Sequence, residues 1–127
     1  MWTLTKEFKF EAAHRLPLHD GKCARLHGHS WRMRVELSGE VLFKEGAKTG
    51  MLRDFGDVGK AAAPLLENAL DHHYLNETTG LASPTSEELA RWVYDRLKPA
   101  LPEMVAVEVM ETCTCSCRYE PQEGGAR

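Results

Sequence analysis

The sequence lacks long hydrophobic runs, basic runs and a disulfide-rich composition. No apolar stretch approaches the roughly 20 residues of a membrane-spanning helix, and Met1–Lys6 lacks the charged-then-apolar layout of a signal peptide. Basic residues occur in runs no longer than two and the formal net charge is −3, which makes nucleic-acid binding a poor hypothesis. We therefore expect a cytoplasmic protein whose four cysteines are free thiols or metal ligands rather than disulfides.

The composition that remains is that of an ordinary globular protein. Its 127 residues are 43% hydrophobic and 28% charged. This length predicts a single domain over residues 1–127, in which residues 120–127 form a flexible tail. A domain of this size often gains stability by oligomerising.

Sequence periodicity predicts the element order β-β-α-α-β-β. The predicted elements are strands over 2–13 and 31–38, helices over 54–70 and 85–98, a strand over 104–111 and a last short strand through Tyr119. Gly56, Gly59 and Pro64 weaken the first helix, whereas Thr85 and Glu88 form a capping box at the second. This order predicts an α+β fold with one antiparallel sheet and both helices on one face. Its open edges favour assembly by edge pairing.

Three histidines form a candidate metal site. If residues 23–29 are extended, His27 and His29 point to the same face, because strand side chains alternate. His14 ends the preceding strand, so all three imidazoles converge if the two strands pair. Imidazole ligation favours zinc over magnesium or calcium, and three such ligands leave a tetrahedral ion one open position. The alternative is that these are ordinary loop histidines, because a His-x-His fragment alone is weak support for a metal site.

A thiol and an acid–base pair are further candidates for chemistry. Cys23 can act as a base or nucleophile when it is a thiolate, a form that a nearby metal dication favours. It can equally be an inert buried cysteine. Asp71 lies beside His72, and a carboxylate in this position can fix the tautomer of an imidazole and raise its basicity. The alternative is that Asp71 and His72 are polar residues at a helix end.

Glu111 continues the alternation of the valines at 105, 107 and 109. It would therefore place a carboxylate on the apolar face of a strand, which is costly unless the charge is paired. A ligand with paired N–H donors, such as a guanidine-like heterocycle, is one possible partner. The alternative is that Glu111 already reaches water at the strand end.

The remaining candidates have strong structural explanations. Thr85 and Ser86 stand where a helix needs capping residues. Cys113, Cys115 and Cys117 form a Cys-x-Cys-x-Cys run, whereas zinc and iron–sulfur sites usually have wider Cys-x-x-Cys spacing. We therefore interpret these three cysteines as small turn and strand residues rather than as a second metal or redox site.

Six segments together resemble the 6-pyruvoyl-tetrahydropterin synthase superfamily. They are Phe-Glu-Ala-Ala-His-Arg-Leu (10–16), Cys-x-x-x-His-Gly-His (23–29), Asp-Phe (54–55), Leu-Asp-His-His-Tyr-Leu-Asn (70–76), Pro-Thr-Ser-Glu (84–87) and Glu-Thr-Cys-Thr (111–114). The resemblance implies the tunnelling fold, in which β-β-α-α-β-β units pair edge to edge into a barrel. The assembly is commonly a hexamer of two trimers with active sites between subunits. The short gap between Cys23 and His27 is similar to the branch that makes 6-carboxytetrahydropterin in queuosine biosynthesis.

The resemblance also implies a role for each site residue. His14, His27 and His29 match the ligands of one zinc ion per subunit. Cys23 matches the catalytic thiol. Asp71 and His72 match the dyad that works with this thiol across a subunit boundary. Glu111 matches the anchor of the pterin ring, with Thr85 and Ser86 beside it. The implied reaction converts 7,8-dihydroneopterin triphosphate to 6-carboxy-5,6,7,8-tetrahydropterin and releases acetaldehyde and triphosphate.

Two other functions stay open at this point. One is a 6-pyruvoyl-tetrahydropterin synthase reaction, which eliminates triphosphate without carbon–carbon cleavage. The other is a non-catalytic zinc- or pterin-binding module, although binding alone does not require a separate thiol and an Asp–His pair. Cys23 argues against a third relative that has Glu at this position and cleaves dihydroneopterin in the manner of an aldolase.

Overall fold

A computed structural model describes residues 1–122, which are organised around a five-stranded sheet. The strands are β1 (Trp2–His14), β2 (His27–Gly39), β3 (His73–Tyr74), β4 (Met104–Thr112) and β5 (Cys115–Tyr119), and they lie in the order β3-β1-β2-β4-β5. The predicted α+β class is therefore confirmed. The part of the predicted tail over residues 123–127 lies outside the described residues.

The prediction of a wholly antiparallel sheet is wrong at one edge. β1, β2, β4 and β5 pair antiparallel, as predicted, but the two-residue strand β3 pairs parallel to β1 at Ala12 and Ala13. The chain reaches this edge from a helix rather than through a tight hairpin, and a helical connection of this kind permits parallel pairing. The short pair places residues 71–74 against the end of β1, where the candidate metal ligands lie.

The two long helices begin at the capping residues that the sequence predicts, and a third, short helix lies between them. They are α1 (Phe55–Leu65), α2 (Leu75–Thr78) and α3 (Ser86–Leu97). Asp54 accepts a hydrogen bond from the Gly56 N–H at 2.8 Å, and Thr85 accepts one from the Glu88 N–H at 3.1 Å. A π-helical turn over Leu66–Leu70 continues α1 just after Pro64, so the predicted helix over 54–70 has two parts. The short helix α2 has no counterpart in the sequence prediction.

Both long helices cover the same face of the sheet. Phe10, Trp31 and Met33 are buried on that face with residues of both helices, including Val58 of α1 and Val93 of α3. The other face carries charged pairs, such as Arg34 with Glu7 at 3.0 Å and with Glu108 at 3.3 Å. This contrast confirms the predicted placement of the helices and is typical of an antiparallel sheet with one covered face. No helix in the described part of the chain is long and apolar enough to cross a membrane.

Candidate metal centre and active site

Three histidines and one glutamate converge where β1 ends and β2 begins. His14 is directly opposite His27 in the β1–β2 pair and His29 is opposite Ala12, so all three imidazoles lie on the helix-covered face. Their ring centroids are 4.5 to 5.2 Å apart. Potential ligand atoms of His14, His27, His29 and Glu111 all lie within 4.8 Å of one another. The structure thus brings together the three histidines whose convergence the sequence predicts and adds a carboxylate to them.

Backbone carbonyls fix the tautomers of two of these histidines. His14 Nδ1 lies 2.9 Å from the Pro84 carbonyl oxygen, and His27 Nδ1 lies 2.7 Å from that of Arg25. Since a carbonyl oxygen only accepts, Nδ1 carries the hydrogen in each ring and a neutral imidazole exposes a lone pair at Nε2. Burial also lowers the pKa of His14, which favours the neutral form that a metal requires. Such carbonyl bonds are the usual support of metal-binding histidines.

The atoms that face the centre of this cluster fit a dication. Nε2 of His14 and Nε2 of His29 are buried and have no hydrogen-bond partner among the described residues, yet Glu111 Oε1 lies 3.1 Å from each. In the tautomer that Pro84 imposes, His14 Nε2 and the carboxylate present lone pairs to one another. A cation between them relieves this repulsion. Ligand atoms of a tetrahedral zinc ion with bonds of about 2.0–2.1 Å are about 3.3 Å apart, close to both observed distances.

Glu111 reaches this cluster from a bulge in β4. The β4–β5 register shifts between Met110 and Thr112, so Glu111 is the unpaired residue. It keeps the alternation of Val107 and Val109, which are fully buried, and its own side chain is 27% exposed. The predicted placement of Glu111 on the face of these valines is therefore confirmed. The residue that the resemblance implies as a pterin anchor lies among the candidate metal ligands.

Cys23 lies on the loop that connects the two histidine-bearing strands. It is the central residue of a single 3-10 turn over Lys22–Ala24 and is a half-buried free thiol. Its carbonyl oxygen accepts a hydrogen bond from the Leu16 N–H at 2.7 Å. Cys23 is not a member of the four-residue cluster. Its position outside the cluster, on the loop between the two strands that carry the histidines, is compatible with a thiol that acts on a substrate and does not bind the metal.

Asp71 and His72 form a hydrogen-bonded pair on the outer edge of β1. Asp71 Oδ2 lies 3.0 Å from His72 Nδ1. Glu11 fixes the pair, because its N–H donates to Asp71 Oδ1 at 2.9 Å and its carbonyl accepts from the His72 N–H at 2.6 Å. The hydrogen bond from the Glu11 N–H is the main cause of the lowered pKa of the Asp71 carboxyl, and the hydrogen bond with His72 is the second cause. His72 has a left-handed backbone (φ 62°), which is a strained conformation for a residue other than glycine. The hydrogen bonds with Glu11 and Asp71 hold it in this conformation.

Two open clefts adjoin these groups. One, of about 600 Å³, is lined by both His29 and His72, so it connects the histidine cluster with the Asp71–His72 pair. The other, of about 550 Å³, is lined by His29, Glu111 and Cys113. Both volumes are in the range of small-molecule sites. His29 thus lies at the junction of the two clefts, where a ligand can reach the cluster.

The other predicted residues are not members of the cluster. Thr85 caps α3, as predicted, and Ser86 is the first residue of that helix. Cys113 and Cys115 are exposed, whereas Cys117 is half-buried and its burial raises its pKa. In residues 1–122 none of these three cysteines joins the candidate metal group. The carbonyls of Pro84 and Arg25 leave no signal in a sequence, because any residue type supplies a carbonyl.

Comparisons with known proteins agree with this geometry. The profile of the family described as 6-pyruvoyl tetrahydropterin synthase matches residues 3–122. A Synechocystis protein named 6-carboxy-5,6,7,8-tetrahydropterin synthase is 52% identical over 120 residues, which cover 94% of this chain and 93% of that protein. A Haemophilus influenzae protein of the same name is 33% identical over 94% of this chain and 99% of its own length.

A solved structure extends the likeness to the fold. The Caenorhabditis elegans 6-pyruvoyl tetrahydropterin synthase superposes with a TM-score of 0.81 at 27% identity and covers 95% of this chain and 96% of its own. Both the sequence match and the fold match extend over nearly all of the described residues. The chain belongs to the 6-pyruvoyl tetrahydropterin synthase family.

Proposed function

We propose that this protein is a zinc-dependent lyase of queuosine biosynthesis. It converts 7,8-dihydroneopterin triphosphate and one water molecule to 6-carboxy-5,6,7,8-tetrahydropterin, acetaldehyde and triphosphate. The observation that carries the proposal is the 52% identity, over nearly the whole chain, to a protein named 6-carboxy-5,6,7,8-tetrahydropterin synthase. The cluster of His14, His27, His29 and Glu111 supports it, because these residues could hold the metal ion.

His14 and His27 are neutral imidazoles in the tautomer that zinc binding requires. The carbonyls of Pro84 and Arg25 hold the Nδ1 hydrogens of His14 and His27, so both rings direct a free Nε2 lone pair into the cluster. A zinc ion held there would supply Lewis-acid polarisation of the hydroxyl oxygens on the substrate side chain. Trp31 packs edge-to-face against His14 and His29 at 5.0 and 5.5 Å between ring centroids, which restrains both imidazoles.

The remaining residues move protons and orient the pterin. Cys23 accepts a proton from the substrate side chain as a thiolate. His72 transfers a proton while its Nδ1 is hydrogen-bonded to Asp71 Oδ2. Because the pKa of Asp71 is lowered, its carboxylate stays ionised beside the ring. Glu111 accepts N–H hydrogen bonds from the aminopyrimidine edge of the pterin through Oε2, with Thr85 and Ser86 beside it.

A product assay tests this function directly. The zinc-loaded protein is incubated with 7,8-dihydroneopterin triphosphate, and the products are identified by mass. We expect acetaldehyde and 6-carboxy-5,6,7,8-tetrahydropterin. Triphosphate release without acetaldehyde would instead indicate a 6-pyruvoyl-tetrahydropterin synthase, and pterin binding without turnover would indicate a binding module.

Substitution of Cys23 tests the assignment of the catalytic thiol. Cys23→Ala should abolish turnover while zinc content is unchanged, because the thiol is not one of the clustered ligand residues. Cys115→Ala is the matched control, since it removes an exposed thiol that is also outside that cluster. Full turnover by Cys23→Ala would contradict the assignment.

The proposal includes a cytoplasmic homohexamer built from two trimers. The strands β3 and β5 are the edge strands of the sheet in residues 1–122 and offer backbone groups for pairing between subunits. Light scattering of the zinc-loaded protein measures the assembly directly. A monomer at the concentration of the assay would contradict it.

A further inference from the structure

The side chain of Asn76 joins the segment after the Asp71–His72 pair to the residue that follows His14. Its Oδ1 accepts a hydrogen bond from the Arg15 N–H at 3.0 Å, and its Nδ2 donates to the Arg15 carbonyl oxygen at 2.8 Å. A backbone N–H only donates and a carbonyl only accepts, so these two bonds fix the orientation of the carboxamide. Nδ2 also lies 3.4 Å from the Ala82 carbonyl oxygen. One half-buried side chain thus satisfies both backbone groups of Arg15.

Arg15 in turn connects this bond pair to the turn that carries Cys23. It directly follows His14, and its Nε donates to the Ala24 carbonyl oxygen at 3.1 Å. The next residue, Leu16, donates its N–H to the Cys23 carbonyl oxygen at 2.7 Å. Arg15, through its side chain, and Leu16, through its backbone N–H, therefore contact the carbonyls of two successive residues of the 3-10 turn.

Asn76 lies close in the chain to the Asp71–His72 pair, so its bonds link that pair to the rest of the candidate site. Asn76 lies four residues after His72, just beyond the short strand that pairs with the end of β1. Its bonds tie the segment of the Asp71–His72 pair to the residue that follows His14. The candidate metal ligand His14, the Asp71–His72 pair and the Cys23 thiol come from three separate segments. The hydrogen bonds of Asn76 and Arg15 connect these segments.

We propose that Asn76 is a positioning residue that holds the Cys23 turn in register with the histidine cluster and the Asp71–His72 pair. The inference rests on the proposed function, because that function assigns the chemistry to Cys23. Loss of the carboxamide leaves both backbone groups of Arg15 without these partners and loosens the residues that contact the Cys23 turn. A displacement of about 1 Å in a reacting group can cost about 100-fold in rate.

Asn76→Ala tests the proposal, with Asn68→Ala as the matched control. Asn68 is exposed and is the other asparagine of the chain, so its removal deletes the same carboxamide elsewhere. We expect Asn76→Ala to lower kcat about 100-fold with little change in KM and with zinc content unchanged. Asn76→Asp should behave similarly, because it places a second oxygen against the Arg15 carbonyl while the acceptor for the Arg15 N–H is kept. This variant also serves if Asn76→Ala does not fold.

Alkylation of Cys23 provides a measurement that does not depend on turnover. Iodoacetamide labelling, read by peptide mass spectrometry, should become several-fold faster at Cys23 in Asn76→Ala and stay the same at the exposed Cys113 and Cys115. Equal acceleration at all cysteines would overturn the proposal, because it indicates general loosening. Unchanged labelling of Cys23 in both Asn76 variants would overturn it as well. If the wild-type protein shows no turnover, the proposed function fails, while the labelling still decides whether Asn76 positions Cys23.

Discussion

Removal of the metal from the cluster of His14, His27, His29 and Glu111 is expected to lower the melting temperature by about 10 °C. A ligand at 100 times its dissociation constant stabilises a folded protein by about 2.7 kcal/mol. For 127 residues, at roughly 2.1 cal/mol/K each, the entropy of unfolding is about 0.27 kcal/mol/K. The ratio of these two values gives the expected shift.

The structure explains why the metal-free protein should be the less stable form. Without a cation, the buried Nε2 atoms of His14 and His29 lack a hydrogen-bond partner and face the carboxylate of Glu111. An unsatisfied buried polar group costs about 1–3 kcal/mol. Two such atoms account for a penalty of the same size as the stabilisation that metal binding provides.

Scanning calorimetry measures this difference, with zinc content determined by mass spectrometry. One sample is dialysed against a chelator, and the other contains free zinc at 100 times the dissociation constant measured beforehand. His19→Gln is the control, because His19 is exposed and lies outside the cluster. The reasoning is refuted if the wild-type protein binds one zinc ion without a change in melting temperature, or if His19→Gln abolishes the shift.

Three further substitutions test the local arguments. Thr85→Ala should lower the free energy of unfolding by about 1 kcal/mol in a urea titration because α3 loses its cap, and Thr85→Ser should restore most of it. The folded-state pKa of Asp71 is lowered, so its ionised form stabilises the fold above the unfolded pKa of about 3.9 and less as the pH falls through the folded value. The stability difference between wild type and Asp71→Asn, followed from pH 6 to pH 2, should therefore shrink towards low pH; a constant difference would contradict this cause. Leu89→Ala, in a fully buried position of α3, should cost about 2–5 kcal/mol in the same titration.

The positions of the candidate metal-binding histidines were predictable because they continue the periodicity of the core. On β2, His27 and His29 occupy the same alternation as the buried Trp31 and Met33. On β1, His14 continues the alternation of Phe10. A strand pattern that buries apolar residues on one face therefore also directs these imidazoles to that face, beyond the end of the apolar run. The histidine part of the candidate metal cluster is an extension of the core pattern with a different side-chain chemistry.

The parts of the site that escaped prediction depend on backbone groups and very short elements. A two-residue strand such as β3 leaves no periodic signal, and its pairing with β1 is defined by contacts at Ala12 and Ala13. The carbonyls of Pro84 and Arg25 that orient the histidines carry no side-chain signature. The bonds between Asn76 and Arg15 are likewise directed at backbone atoms. Sequence patterns describe faces of elements, whereas these contacts depend on how separate segments meet.

Glu111 is both a member of the candidate metal cluster and the proposed anchor of the pterin. Its Oε1 is the oxygen that lies 3.1 Å from both His14 and His29. The same side chain lines the cleft of about 550 Å³ beside the cluster. Because a carboxylate has two oxygens, contact with the cluster through Oε1 leaves Oε2 as an acceptor for the proposed pterin. The bulge in β4 separates Glu111 from the regular pairing of the strand, and this is the local feature that allows a carboxylate on the apolar face to reach both the histidines and the cleft.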